Sequence, residues 1–361
     1  MTVEPFHAAE EGDTLPAKSG WKRLAPWLWA SGAVLVMLVL NAGIGPVSIS
    51  PGEVVRILLS RLPFMEIQAD WPEIFETILY QIRLPHTILI ALTGMALGGS
   101  GAAFQGLFRN PLADPYIIGV ASGAGLGAVV AIAVDWPVTW MGMAVIPAAA
   151  FIGGVLTVMI VYALARVGRS TPVTTLILAG VAVGTFTSAL TSLILLVSTD
   201  QLRRAIVWLL GGFSLGGWGP VVATLPYLAV GLILLTLLGR PLNVLQFGDE
   251  QALQLGLNVE RVKLLLVASA SLVAAVAVSF SGIIGFVGLI VPHLVRMLWG
   301  SDYRRLIPLA TLGGGAVLLA SDVLARTLLA PRELPVGIIT SIIGAPFFLW
   351  LLRRARVEGA W

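Results

Sequence analysis

The sequence predicts an all-α, polytopic membrane protein with about ten transmembrane helices. Two observations carry this. First, 57% of the 361 residues are hydrophobic and only 11% are charged, with a mean hydropathy of +0.94, whereas a soluble domain is about a quarter charged. Second, the charges fall in short clusters that separate apolar runs of about 20 residues, the length a helix needs to cross hydrocarbon. The runs are too long for strands and do not alternate, which excludes a β-barrel.

The elements follow in order. Residues 1–22 open with MTVEPFHAAEEGDTLPAKSG, a polar stretch without helical periodicity, and predict a disordered cytoplasmic tail. The first apolar run starts near residue 24 and continues without a small-residue cleavage site, so it is expected to be a retained span rather than a signal peptide. Cutting the chain at charged or Pro/Gly-rich joints places spans over 24–43, 84–107, 115–134, 139–165, 173–198, 219–238, 262–281, 286–299, 306–329 and 336–352. The eighth is short for a crossing and is expected to tilt or to be continued by the turn SGIIGFVG. The membrane domain is thus 23–354, followed by a cytoplasmic tail over 355–361.

With a cytoplasmic N-terminus, seven of the 22 Lys and Arg residues face outward (Arg56, Arg61, Arg83, Arg203, Arg204, Arg326 and Arg332) and the others inward. The positive-inside rule favours this orientation, which puts both termini in the cytoplasm. The +3 net charge reports this topology and not nucleic-acid binding. An internal echo, SGAAFQGLFRNP (100–111) against SGIIGFVGLIVP (281–292), shares S-G, nine residues, P on two segments of opposite direction. Antiparallel duplications of this kind are common in transporters.

Several function classes drop out. Without cysteine there are no disulfides, thiol catalysis or Cys-ligated zinc. His7, His86 and His293 lie far apart, so neither a metal site nor a cofactor is expected. No G-x-x-x-x-G-K-[ST] loop occurs, so the chain does not bind ATP through a Walker motif. Glycine is abundant at 40 residues, with four-residue spacing at Gly94 and Gly98 and at Gly119, Gly123 and Gly127. That spacing lets helix backbones approach closely in lipid. GAGLGA (123–128) follows no predicted strand and is not read as a dinucleotide loop. No span carries a carboxylate near its middle; Asp322 lies toward the outer end of the ninth, with Arg326 at helical ion-pair spacing. Ion-coupled carriers usually need such groups at mid-membrane, which argues against a secondary transporter of a small solute.

The stretch QIRLPHTILIALTGMALGGSGAAFQGLFRNPLADPYIIGVASGAGLG (81–127) closely resembles the signature of FecCD-type permeases, the membrane subunits of ABC importers for iron chelates, haem and cobalamin. The resemblance continues through LILAGVAVGTF, LGGFSLGGW, SGIIGFVGLIVPHLVRMLWGSDYRRLIPLATLGGGAVLLASDVLAR and ELPVGIITSIIGAPFFLWLLRR, covering roughly 80–354 and leaving out the tail and the loop near 60–80. It implies a type II ABC importer permease fold, and a transport subunit that is not itself an enzyme.

The resemblance also gives meaning to QFGDEQALQLGLNVERVK (246–263), a charged island between two spans. It implies two short cytoplasmic helices, about 246–262, that fit a groove on a separate ATPase subunit. Local signals agree: Asp249 after Gly248 is placed to cap a helix over 250–255, Gly256 to stop it, and Asn258 to cap a second turn leading into the seventh span. Leu253, Leu255 and Leu257 would supply apolar contact, with Asp249, Glu250 and the other charges as rim. An ordinary solvated loop is the competing reading.

On the outer face the resemblance implies docking of a substrate-binding protein through Arg83 and Arg326, with His86 standing where the family often has a second arginine. That departure weakens one contact or makes it pH-dependent. Snorkelling to lipid competes as a reading of Arg83, and an ion pair with Asp322 as a reading of Arg326. STDQLRRAIVWLLGG (198–212) resembles the family's periplasmic gate helix and carries Arg203 and Arg204. These are placed to attract anionic chelates or simply to face solvent. The expected partners are a second permease chain, as a homodimer, two ATPase subunits, one substrate-binding protein and membrane lipid. The expected cargo is an iron chelate (siderophore or haem), with cobalamin as the alternative, and the location the bacterial inner membrane.

Overall fold

A computed structural model of the chain describes residues 20–357 apart from 65–66, 137–138, 141–142, 199–200 and 213–215. The tail expected over 1–22 lies outside the described residues up to position 19, and the one expected over 355–361 does so from 358. Fifteen α-helices occur among the described residues. The first is α1 (Gly20–Gly43), followed by the short α2 (Pro51–Ser60) and α3 (Glu73–Thr77). A π turn over Ile78–Arg83 joins α3 to α4 (Leu84–Leu107). Next come α5 (Val120–Ala133), α6 (Val145–Ala165), α7 (Val173–Val197), α8 (Leu202–Leu209) and α9 (Trp218–Leu237). Two more short helices, α10 (Gly239–Leu245) and α11 (Asp249–Gln254), precede α12 (Val259–Ser281), α13 (Val287–Trp299), α14 (Tyr303–Thr327) and α15 (Val336–Val357). Two-residue strands, Thr139–Trp140 and Met143–Ala144, pair antiparallel between α5 and α6.

Among the described residues seven helices are long and apolar enough to cross a membrane, and α5, α13 and the Val336–Leu351 part of α15 are shorter apolar helices. Together these match the ten runs read from the sequence, including the short eighth. The second span is longer than expected. Instead of starting at residue 84, it is one helical run, Glu73–Leu107. Charge and a proline had marked a break there. Pro85 lacks an N–H for the helical ladder, and the wider π turn just before it carries the chain through without interruption.

The segment before it is also ordered. Ser50 Oγ accepts from Glu53 N while the Glu53 carboxylate accepts from Ser50 N, a capping box that starts α2. Val54 and Ile57 on its inner face join Ala42, Ile49, Trp71 and Leu79 in a small apolar cluster. Arg56–Asp70 and Arg61–Glu76 ion pairs, both 2.9 Å, tie it to the chain leading into α3.

Burial ranks the spans. The apolar windows of Glu73–Leu107 and α12 are 83% and 72% buried, against 17% for α1 and α7, so α4 and α12 form the centre and α1 and α7 the periphery. The pairings repeat in the same chain order. Helix α4 packs on α14 as α12 packs on α6; α5 lies against α6 and α7 as α13 lies against α14 and α15; and α4 and α12 meet each other. Both short helices, α5 and α13, start just after a residue with positive φ, Gly119 at 84° and Phe286 at 68°. The two echoing segments also touch, since a Cβ on Gly101 would overlap the Gly288 carbonyl. This packing is the counterpart of the sequence echo.

The four-spaced glycines act by size. A Cβ on Gly98 would overlap the Ala310 carbonyl and one on Gly94 that of Gly314, both on α14; Gly123 and Gly127 meet Gly153 and Ala149 of α6 in the same way. Gly98→Ala should therefore cost about 1–3 kcal/mol of overpacking, read as a loss of stability to denaturant in detergent. Gly52→Ala, where no atom lies within 4 Å of the new methyl, should leave stability unchanged or slightly raised.

Candidate functional site

Both ends of the bundle carry polar constructions built from the sequence-predicted residues. At one end α9 stops at Leu237 and two short helices, α10 and α11, form a knob before α12 begins. Only α11 falls within the 246–262 expected for both: α10 lies ahead of it, and the second turn expected from Asn258 is the start of α12 itself. Gly248 at φ 109° opens α11 and Gly256 at φ 82° ends it, conformations that disfavour a side chain. Gly256 N donates to Leu253 O and Leu257 N to Ala252 O, closing the helix C-terminus. Asn258 Oδ1 then accepts from Arg261 N at 3.1 Å and caps α12, as its position predicted.

Asp249 differs from expectation. It is the first residue of α11, with Gly248 in the capping position, so its carboxylate is not aimed at the helix N–H groups. It is 2.5 Å from Lys263 Nζ on α12, and 3.9 Å from the guanidinium of Arg109, just past α4. Leu257 also differs: it packs inward against the core, while Leu253 and Leu255 are 58% and 69% exposed. Phe247, which the sequence reading left out, is 70% exposed beside them. Its signal was an aromatic residue inside a charged island. Glu250 is exposed on the rim.

The knob is bonded to the central helices. Asn243 of α10 donates to Asp302 Oδ1 at 2.6 Å and accepts from Tyr303 N at 2.9 Å, at the start of α14. Hydrogen bonds from the Arg304 guanidinium hold the Asp302 carboxyl well below the ordinary carboxylate range. Gln246 Nε2 donates to Gly106 O at 3.0 Å, at the end of α4.

At the opposite end, two of the three expected docking residues, His86 and Arg326, converge on Asp322 of α14, whereas Arg83 does not. Arg326 pairs with it at 2.8 Å and His86 Nε2 lies 3.1 Å from it. Asn41 of α1 donates to it at 2.9 Å and accepts from Thr87 Oγ1 at 2.7 Å. Arg83, 6% exposed, donates to the carbonyls of Ala42, Gly43 and Val47, and Arg326 to those of Ile44 and Asn41. The carbonyls of Asn41, Ala42 and Gly43 end α1, where a helix leaves acceptors unpaired and favours a cation, and those of Ile44 and Val47 belong to the turn after it. Arg83 and Arg326 are thus turned inward, and His86 keeps the most exposed side chain of the three, at 29% against 9% for Arg326.

At the same end, Arg203 and Arg204 are exposed on α8, whose other face seats Ala205 and Trp208 against α5. Three glycines not singled out in the sequence make that seat. Gly282 faces Trp208 O and Gly337 faces Leu210 O, each too close for a side chain, and Gly211, at φ 82°, lies tightly against Gly337 N and Ile283 O. Among the described residues no group of three or more His, Cys, Asp or Glu is placed to hold a metal ion.

The model of the FecCD transport family matches residues 33–354. The chain is 43% identical to the cobalamin import system permease protein BtuC of Halobacterium salinarum, over 93% of this chain and 98% of that one. It is 42% identical to the hemin transport system permease protein HmuU of Yersinia pestis, over 77% and 83%. A solved structure described as an inward-facing conformation of a metal-chelate type ABC transporter superposes with a TM-score of 0.76 at 29% identity, covering 91% of this chain and 98% of the other.

Asp322→Ala would leave Arg326 without its carboxylate inside the bundle. The expected cost is about 3–5 kcal/mol, that of breaking one side of a buried ion pair, measured by unfolding of the purified protein. The exposed Arg203→Ala should stay within about 0.5 kcal/mol of the parent.

Proposed function

The chain belongs to the FecCD transport family, the membrane subunits of ABC importers, and from that premise we propose that it translocates a metal chelate across the bacterial inner membrane. Two copies form the pathway, two ATPase subunits drive it from the cytoplasmic side, and a substrate-binding protein feeds it from outside. The knob end is then cytoplasmic, as are both termini. The observation that carries this reading is the knob itself: two short helices that expose Phe247, Leu253 and Leu255 while their polar side chains are bonded to α4, α12 and α14. A solvated loop has no reason to hold three large apolar side chains in water on a braced support. A groove on an ATPase would cover them, with Glu250 at the rim.

At the other end, Arg83 and Arg326 serve docking by holding the backbone over 41–47 in place, and His86 contributes a more exposed contact. Helix α8, with Arg203 and Arg204, acts as the gate and draws in anionic cargo. An iron chelate, siderophore or haem, is the proposed cargo. Cobalamin is the second reading, favoured by the Halobacterium relative, whose length the chain matches almost throughout. Titrating the cognate binding protein with haem, ferric siderophores and cobalamin separates the two. A secondary transporter of a small solute is disfavoured because Asp322, the carboxylate of α14, is held by Arg326, His86 and Asn41 rather than left free to cycle a proton.

Leu253→Asp/Leu255→Asp tests the knob. Both positions are exposed, so the fold should survive, but two carboxylates would enter an apolar groove. The expected result is at least about a tenfold loss of ATPase retention on affinity purification, equivalent to about 1.4 kcal/mol. Parent-level retention and uptake would count against the reading.

A further inference from the structure

Lys263 is a buried cation that the coupling reading does not by itself require. It lies in the first turns of α12 and is 4% exposed. A buried ammonium persists only where its charge is met and its donors are used. Its Nζ reaches Asp249 of the knob at 2.5 Å, the Thr171 carbonyl at 3.3 Å and Glu260 at 3.9 Å. The second carboxylate oxygen of Asp249 faces Arg109 at 3.9 Å. Arg109 adopts φ 49° at the end of α4, a position where glycine costs less. Retaining an arginine there fits a need for its charge. Two cations and two carboxylates thus join four segments: the end of α4, the link from α6 to α7, the knob and the base of α12.

Thr171 gives this cluster its reach. It is 3% exposed and immediately precedes Pro172, which starts α7. Helix α7 is among the least buried spans and runs 25 residues to the end of the bundle that carries α8, a rod of about 37 Å at 1.5 Å per residue. We propose that the Lys263–Asp249 pair is the pin through which displacement of the knob is passed to the start of α7 and so to the gate helix. These are positioning residues, and the inference rests on the coupling reading above.

The test uses the reconstituted complex of permease, ATPase and binding protein. The chain has no cysteine, so Leu202→Cys, exposed on α8, takes a single spin label per permease copy. In the parent, ATP should shift the label-to-label distance. Asp249→Asn/Lys263→Met removes both charges together, which leaves no buried ion unpaired. It should still bind the ATPase and hydrolyse ATP, but the shift should vanish. Stimulation by the binding protein should fall about fivefold or more, the lower end of site-to-site coupling factors. Lys263→Arg, which keeps a cation on Asp249, should restore both. If the double variant fails to assemble, Asp249→Asn alone is decisive, since Glu260 remains to neutralise Lys263. A parent-like shift in an assembled variant lacking the pin overturns the inference and leaves the coupling reading standing. A parent chain that retains no ATPase overturns both.

Discussion

The close approach of α4 to α14 is the constraint on which the rest of the molecule depends. In lipid no hydrophobic force pulls helices together, so contact must come from packing at short range. Gly94 and Gly98 against Gly314 and Ala310 bring two backbones to a distance no side chain would permit. With that contact made, the two ends of α4 are fixed relative to α14. At one end His86 is delivered to Asp322, and at the other Gly106 and Arg109 to the knob. Substituting bulk in this seam would misplace polar groups at both surfaces.

Polar groups are confined accordingly. The Asp322 cluster and the Lys263 cluster sit near opposite ends of the spans, and in each the charges are matched by partners from other helices. Burying unmatched charge in a bilayer is expensive, and matched charge tells helices which neighbour to choose. Asp322 joins α1, α4 and α14; Asp249 joins the knob to α12 and to the segment after α4.

Packing is thin at the periphery. Helix α7 is little buried within one chain and offers Leu178, Val181, Phe186 and Leu193 outward. Helix α8 follows it and rests on glycine backbone at Gly211, Gly282 and Gly337. Its Ala205 and Trp208 are the side chains that anchor it against α5. The knob is the opposite construction, short helices tied by side-chain hydrogen bonds to the start of α14 and the end of α4.

The sequence by itself determined the membrane class, the number of apolar runs, the short eighth span, the second short helix of the knob, and the local signals that end it at Gly256 and start α12 at Asn258. Each of these is a short-range property: run length, four-residue spacing, or a cap that acts within one turn. Tertiary structure alone decided partners. Asn41 meets Asp322 across 281 positions and His86 meets it across 236, so whether Arg83 and Arg326 face solvent or close a helix end could not be read along the chain. The same holds for Asp249, whose local signal marked a cap while Lys263 and Arg109 drew its carboxylate elsewhere. A buried cation demands a counter-charge more strongly than a helix start demands a cap, and only the assembled bundle shows which cation is buried.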